Sequence, residues 1–127
     1  MSSFAEMMKA SWDNHCVAFG AQDVEKIALD YTDASVITVF DNSSNVKSIY
    51  KGVNGTKEFF TGLFAVLPDI SCLATPVCDF DAEGKQFFLV WDCPSSGFGR
   101  CADTFVFDEN GKVLRQNVMI SKVVKVE

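Results

Sequence analysis

The second half of the sequence is a succession of strand-like segments and turns, which restricts the chain to folds built on an antiparallel sheet. Turn residues stand at 81–84, 94–97 and 110–111, the last being the Asn-Gly pair typical of hairpins. The segments between them span Ile70 to Phe80, Gln86 to Cys93, Phe98 to Phe107, and Lys112 to about Lys125. Pro76 predicts a bulge or an edge position in the first of these, because proline cannot donate a ladder hydrogen bond.

Helical patterns occupy the first half. One apolar stripe with helical spacing consists of Phe4, Met8, Trp12, His15 and Phe19. Gly20 predicts the end of this helix, and Asp23 can cap a second, short one. On that second helix Val24, Ile27, Ala28 and Tyr31 share a stripe. The sequence therefore predicts two packed helices at the start of the chain.

A hairpin and a third helix complete the predicted elements. The hairpin strands are Ala34 to Phe40 and Val46 to Tyr50. The apolar face of the helix that follows, which Pro68 ends, consists of Phe59, Phe60, Leu63, Phe64 and Leu67. Helices first, then long strands with one helix inserted, predict an α+β fold. We expect a cone-shaped, strongly curved, mixed or antiparallel sheet, with the helices enclosing an apolar pocket.

Length and composition fit one globular domain that spans residues 1–127. The chain is 48% hydrophobic and has twelve phenylalanines, enough aromatic surface to fill a core and line a cavity. The net charge of −6 disfavours nucleic acid as a partner. The first residues lack a signal-peptide pattern, and no membrane span is predicted. Five cysteines and a single histidine predict reduced thiols in the cytoplasm and no metal site.

Four blocks of sequence resemble the nuclear-transport-factor-2-like superfamily, which includes ketosteroid isomerases and SnoaL-like polyketide cyclases. The blocks are Ala18-Phe19-Gly20-Ala21-Gln22-Asp23, Tyr31-Thr32-Asp33-Ala34-Ser35-Val36-Ile37, Gly52-Val53-Asn54-Gly55-Thr56-Lys57-Glu58-Phe59-Phe60, and Asp103-Thr104-Phe105-Val106-Phe107-Asp108-Glu109-Asn110-Gly111-Lys112-Val113. The resemblance covers nearly the whole chain and is specific for the fold. It is not specific for an activity, because the fold hosts enzymes, adaptors and ligand binders.

Asp103 and His15 are the candidate catalytic residues. Strand alternation places Asp103 on one face with Cys101, Phe105 and Phe107. Burial among apolar neighbours raises the pKa of a carboxyl group, which is what a general acid requires. The resemblance puts Asp103 where the isomerases keep a protonated Asp and the cyclases their acid/base Asp. It puts His15 where the isomerases carry the tyrosine of the oxyanion hole. The alternative is a structural pair in which Asp103 only holds His15 or a backbone amide.

Val39 marks a departure from the isomerase pattern. By the same register it occupies the position of the isomerase general base, and its side chain cannot accept a proton. Steroid isomerisation by that mechanism is therefore disfavoured.

Further residues are candidates for the pocket wall. They are Trp12, Phe19, Phe40, Phe60, Phe64, Phe88, Val90, Phe105 and Gln116. The resemblance suggests that the Phe88 face of its strand lines the cavity. Trp91 would then lie on the outer face of the sheet and contribute to a homodimer interface. Gln116 is favoured over its neighbour Asn117 as the inward-facing residue.

Two functional hypotheses follow. The first is an acid/base enzyme of cyclase, isomerase or dehydratase type that acts on a small apolar molecule without a cofactor. The second is a noncatalytic module, either a binder of small molecules or a dimeric interaction domain. Val39 favours the second, and replacement of Asp103 by Asn separates the two.

Overall fold

The computed structural model describes residues 3–122 and contains three α-helices and six strands in that range. The helices are α1 (Phe4–Gly20), α2 (Val24–Ile27), which runs on into a 3-10 turn (Ala28–Asp30), and α3 (Gly52–Ala65). The strands are β1 (Tyr31–Asp41), β2 (Val46–Lys51), β3 (Ala74–Asp81), β4 (Gln86–Cys93), β5 (Phe98–Phe107) and β6 (Val113–Ile120). The predicted end of the last strand, near Lys125, lies outside the described residues.

The strands form one mixed sheet in the order β2-β1-β6-β5-β4-β3. β1 and β6 are parallel, and the other neighbours are antiparallel. The predicted α+β class and mixed sheet are confirmed. The predicted strong curvature is not, because the sheet is not strongly curled.

Helix α1 is fixed at its start and along its length. Ser3 and Glu6 form a reciprocal capping box at its N-terminus. Further along, Ser11 donates a hydrogen bond to the carbonyl of Gly111 in the β5–β6 turn. Gly111 has φ +76°, and a Cβ there would lie 2.8 Å from Cβ of Met7. Only glycine allows α1 to approach this hairpin so closely.

The helices cover one face of the sheet, and the core lies between them and that face. Cys101, Asp103, Phe105 and Phe107 of β5 are all buried, as strand alternation predicted. β3 is an edge strand with an irregular register between Ala74 and Val77. Both features predicted from Pro76 are therefore present.

None of the helices described within residues 3–122 is long and apolar enough to cross a lipid bilayer. All five cysteines are free thiols, with Cys93 and Cys101 buried and the other three exposed.

Candidate functional site

A cavity of about 150 Å³ is bordered by α1, α3 and the covered face of the sheet. Its volume matches cavities known to accept a benzene-sized molecule. Aromatic and aliphatic side chains dominate its wall. The lining consists of Trp12, His15, Cys16, Phe19, Gly20, Phe59, Phe60, Leu63, Leu73, Thr75, Leu89, Trp91, Asp103, Gln116 and Val118. Such a site favours a compact, largely apolar ligand.

Asp103 is the acidic group in this wall. Only 6% of its surface is exposed. Trp91 Nε1 donates a 3.0 Å hydrogen bond to its Oδ1, and Gln116 Nε2 donates a 3.0 Å hydrogen bond to its Oδ2. Burial raises the pKa of Asp103 to about 6, against the lowering effect of these two hydrogen bonds. The group therefore changes protonation close to neutral pH, the range that suits acid/base catalysis.

Gln116 links Asp103 to Tyr31. The Tyr31 hydroxyl donates a hydrogen bond to Oε1 of Gln116, so that the amide accepts from Tyr31 and donates to Asp103. Burial raises the pKa of Tyr31 well above its ordinary value. The hydroxyl therefore stays protonated near neutral pH and holds the amide in the orientation that donates to the carboxylate.

His15 projects from α1 into the same cavity, with 8% of its surface exposed. Its ring stacks on Trp12 with centroids 5.1 Å apart and meets the edges of Phe60 and Phe105 at 5.7 Å. Burial lowers the pKa of His15 to about 4. The imidazole is therefore neutral at pH 7, with one nitrogen that donates and one that accepts.

The electrostatics of the cavity are those of an unpaired carboxylate. None of the ion pairs within residues 3–122 includes Asp103. No lysine or arginine belongs to the lining in this part of the chain. With a pKa of about 6, Asp103 is mostly ionised at pH 7 and keeps a minor protonated fraction. A ligand that carries its own negative charge is disfavoured next to this group.

The structure brings together six of the predicted site residues. Asp103, His15, Trp12, Phe19, Phe60 and Gln116 all border the cavity. Gln116 is 2% exposed and borders the cavity, whereas its neighbour Asn117 lies on the exposed side of β6, so Gln116 is the inward-facing residue of the two.

Three predicted wall residues lie elsewhere. Phe64 is buried behind the wall, where it packs on Phe19 with ring centroids 5.2 Å apart. Phe105 packs edge-to-face against the rings of His15 and Trp12, without bordering the main cavity. Phe40 lies on the outer face of the sheet, in a shallow groove with Thr38 and Met119. Their predicted place in the wall is therefore wrong.

The prediction for β4 is also wrong, because its two faces are exchanged. Phe88 is 42% exposed and, like Val90, does not border the cavity, whereas Leu89 and Trp91 do. Leu89 pairs directly with Asp103, and residues opposite each other in an antiparallel pair project to the same face. Trp91 is consequently buried beside Asp103 and cannot contribute to an outer interface.

Residues missed from the sequence include the partners of the carboxylate. The donor role of Trp91 and the hydroxyl of Tyr31 depend on cross-strand register, which has no local signal. Cys16 borders the cavity next to His15, and burial raises its pKa, which reduces the thiolate fraction.

Val39 lies on the covered face, as the resemblance implied. It pairs with Val118, which pairs in turn with Asp103, so the three residues form a row across β1, β6 and β5. No side chain able to accept a proton occupies the position of Val39.

Within residues 3–122, no three His, Cys, Asp or Glu side chains are grouped as a metal site requires.

Neither a protein-family model nor a curated protein matches the sequence. Solved structures do match. An NTF-2-like protein of unknown function from Burkholderia xenovorans LB400 has a TM-score of 0.65 and 14% identity, with 97% of this chain and 89% of that chain covered. A SnoaL-like protein of unknown function from Burkholderia thailandensis E264 has a TM-score of 0.68 and 11% identity, over 90% and 94%.

A third match is SalBIII, an epoxide hydrolase/cyclase-like enzyme with a role in pyran ring formation in the polyether salinomycin. Its TM-score is 0.66 at 15% identity, with 89% of each chain covered. The chain has the NTF2-like fold. Identities this low establish the fold and leave the activity to be argued from the site.

Proposed function

We propose that this NTF2-like protein is an acid/base enzyme of cyclase, isomerase or dehydratase type that needs no cofactor. Its substrate would be a small, largely apolar molecule with a carbonyl or hydroxyl group. One observation carries the proposal: a buried carboxyl group that has no cationic partner within residues 3–122 borders an apolar cavity and has its pKa raised to about 6.

Asp103 is the proposed proton-transfer group. In its ionised form it removes a proton next to a carbonyl group, and in its protonated form it returns that proton to carbon or to a leaving hydroxyl. The hydrogen bonds from Trp91 and Gln116 fix the plane of the carboxylate and stabilise the ionised form. Each carboxylate oxygen keeps a further lone pair for the substrate.

His15 is the proposed second polar contact. Its neutral imidazole would either polarise the reacting oxygen or relay the proton. The aromatic rings that pack on the imidazole lower the local dielectric, which strengthens both interactions. The similar fold of SalBIII, an epoxide hydrolase/cyclase-like enzyme with a role in pyran ring formation, supports the cyclase form of the proposal.

Hydrogen exchange tests the proposal without knowledge of the substrate. Five- and six-membered cyclic ketones are incubated with the protein in D₂O, and deuterium next to the carbonyl is measured by NMR. We expect exchange above the buffer rate for a ketone that binds, and a loss of about 10²- to 10⁴-fold in Asp103→Asn. Asp33→Asn removes an exposed carboxylate and should exchange like the parent protein. Bound ketones with no exchange above background would reject the enzyme.

The second candidate is a noncatalytic binding module. Val39 favours it, because the row that contains Asp103 has no second proton acceptor. In this case Asp103→Asn should keep its ligand, and no member of the ketone panel should exchange in the parent protein. An interaction domain that uses the outer face is a further form of this candidate.

A further inference from the structure

His15 borders two cavities. One is the ligand cavity, and the other is a small cavity of about 10 Å³ bordered by α1, the 3-10 turn, β5 and β6. The histidine makes no hydrogen bond to another described residue, and burial alone determines its pKa shift. Yet no fully buried side-chain nitrogen or oxygen in residues 3–122 lacks a partner. The ring nitrogens must therefore keep accessible surface, which these two cavities can supply.

The small cavity is polar at one end. Ser11 and Asp30 border it together with His15, and the remaining wall is formed by Trp12, Phe105, Phe107 and Val113. Its volume is close to the smallest that can hold one water molecule, and three polar groups are the usual number of partners for a buried water. The site therefore has both the size and the polarity for a single water.

Asp30 is the second buried carboxyl group of the part of the chain that the structure describes, and the proposed reaction has no role for it. It is 5% exposed, accepts a 2.6 Å hydrogen bond from Asn14 Nδ2, and lies 3.9 Å from Lys112 Nζ. Burial raises its pKa, against the lowering effects of Asn14, Lys112 and the nearby Ser11 hydroxyl. These three neighbours favour the ionised form, in which the carboxylate can only accept hydrogen bonds.

We propose that one water in the small cavity connects His15 to Asp30 and that Asp30 thereby fixes the tautomer of His15. In this arrangement the ring N–H donates to the water, and the water donates one hydrogen to the Asp30 carboxylate and the other to Ser11 Oγ. Ser11 is free to accept because its own hydrogen goes to the carbonyl of Gly111. Every donor and acceptor in the cavity is then satisfied.

The tautomer of His15 determines which hydrogen bonds this residue can make in the ligand cavity. If the N–H of His15 is committed to the water, the other ring nitrogen presents a lone pair to the ligand. His15 then accepts a hydrogen bond or a proton from a hydroxyl group, and it does not donate to a carbonyl oxygen. This inference rests on the proposed function for its meaning in catalysis, but the tautomer itself is a property of the ligand-free protein. Asp30 is a positioning residue, because it acts on the substrate only through His15.

Nitrogen NMR of the ligand-free protein, labelled with ¹⁵N-histidine, measures the tautomer directly, since the chain has one histidine. We expect one ring nitrogen in the N–H range and the other in the unprotonated range. The preference should be roughly tenfold or more, the size that a hydrogen bond to a charged network supplies. Asp30→Asn should weaken or reverse it, since the amide would donate to the water. Asp33→Asn, an exposed carboxylate with the same charge change, should leave it unchanged.

Two outcomes would overturn the proposed connection between Asp30 and His15. One is a near-equal mixture of tautomers in the parent protein, and the other is a spectrum of folded Asp30→Asn identical to that of the parent. If Asp30→Asn does not fold, Ser11→Ala replaces it, and it should reduce the preference because the water loses one acceptor. The tautomer measurement is independent of the ketone exchange assay. A single tautomer without deuterium exchange would support the water that connects His15 to Asp30 and reject the proposed enzyme. Deuterium exchange with mixed tautomers would support the enzyme and reject the connecting water.

Discussion

Trp91 donates its indole N–H to Oδ1 of Asp103 at 3.0 Å, from the strand next to that of the carboxyl group. The two residues lie diagonally across β4 and β5, since Trp91 pairs with Cys101 and Asp103 pairs with Leu89. Hydrogen bonds to an ionised carboxylate are stronger than those between neutral groups. This contact therefore helps to set the pH at which Asp103 changes protonation.

Trp91→Phe should raise the pKa of Asp103 above its value of about 6. The substitution removes a hydrogen bond that lowers the pKa and keeps an aromatic ring in the wall. We expect a rise of about one unit, the order of magnitude of one charge-assisted hydrogen bond. Carboxyl ¹³C NMR across pH 4 to 9 measures it.

Trp12→Phe is the matched control for this measurement. Trp12 borders the same cavity but is not a donor to Asp103 among the described hydrogen bonds. The pKa of Asp103 should change little in this variant. A pKa in Trp91→Phe that stays at the parent value would show that the indole N–H does not contribute to the carboxylate's environment.

Asp103 and His15 should affect the pH dependence of stability in opposite directions. The folded pKa of Asp103 is raised from 3.8 to about 6, so between these values the folded state holds a proton that the unfolded state has released. Its contribution to stability therefore falls as pH rises. The folded pKa of His15 is lowered from 6.5 to about 4, so the unfolded state holds the extra proton there. Its contribution is present above pH 6.5 and is lost as pH falls.

These contributions nearly cancel in the parent protein between pH 4 and 6, and single variants should reveal each one. Relative to the parent, the free energy of unfolding of Asp103→Asn should rise with pH by up to about 1.4 kcal/mol per unit. That of His15→Gln should fall by a similar amount. Urea unfolding at a series of pH values measures both slopes. Parallel profiles for parent and variants would contradict the pKa shifts of the two residues.

Local patterns were sufficient to predict the helices and most strands. The stripe from Phe4 to Phe19 gave α1, and alternation along β5 gave the orientation of Asp103. The turn residues separated the four C-terminal strands correctly. These features depend only on residues close together in the chain, and for this reason they can be predicted from the sequence.

The orientation of β4 could not be predicted in the same way. Phe87, Leu89 and Trp91 are apolar, and so are Phe88 and Val90 on the opposite face, so alternation does not distinguish the two. Only the pairing of β4 with β5, which sets Leu89 opposite Asp103, decides which face is covered, and nothing local in the sequence marks that register. The resemblance favours the Phe88 face for the cavity, and this placed Trp91, the donor to Asp103, on the outer face.

The cavity should discriminate between ligands by charge. Benzyl alcohol and benzoate have similar size, but benzoate would place a second negative charge near Asp103, and no lysine or arginine from the described chain offsets it. We expect benzoate to bind at least roughly tenfold more weakly at pH 7. Quenching of tryptophan fluorescence measures both affinities. The difference should shrink in Asp103→Asn, and an unchanged preference in that variant would show that Asp103 is not its source.

The outer face of the sheet should support a homodimer, with a different set of residues from the one first expected. Trp91 is buried, whereas Phe88 and Met119 are 42% and 45% exposed on the outer face. A charge at either position would be costly to bury in an interface. Phe88→Asp and Met119→Asp should therefore shift the protein toward monomer in analytical ultracentrifugation, without loss of helical circular dichroism. Leu29→Asp, at an exposed leucine in the 3-10 turn before β1, should keep the parent's oligomeric state. A parent protein that remains monomeric at high concentration would rule out this interface.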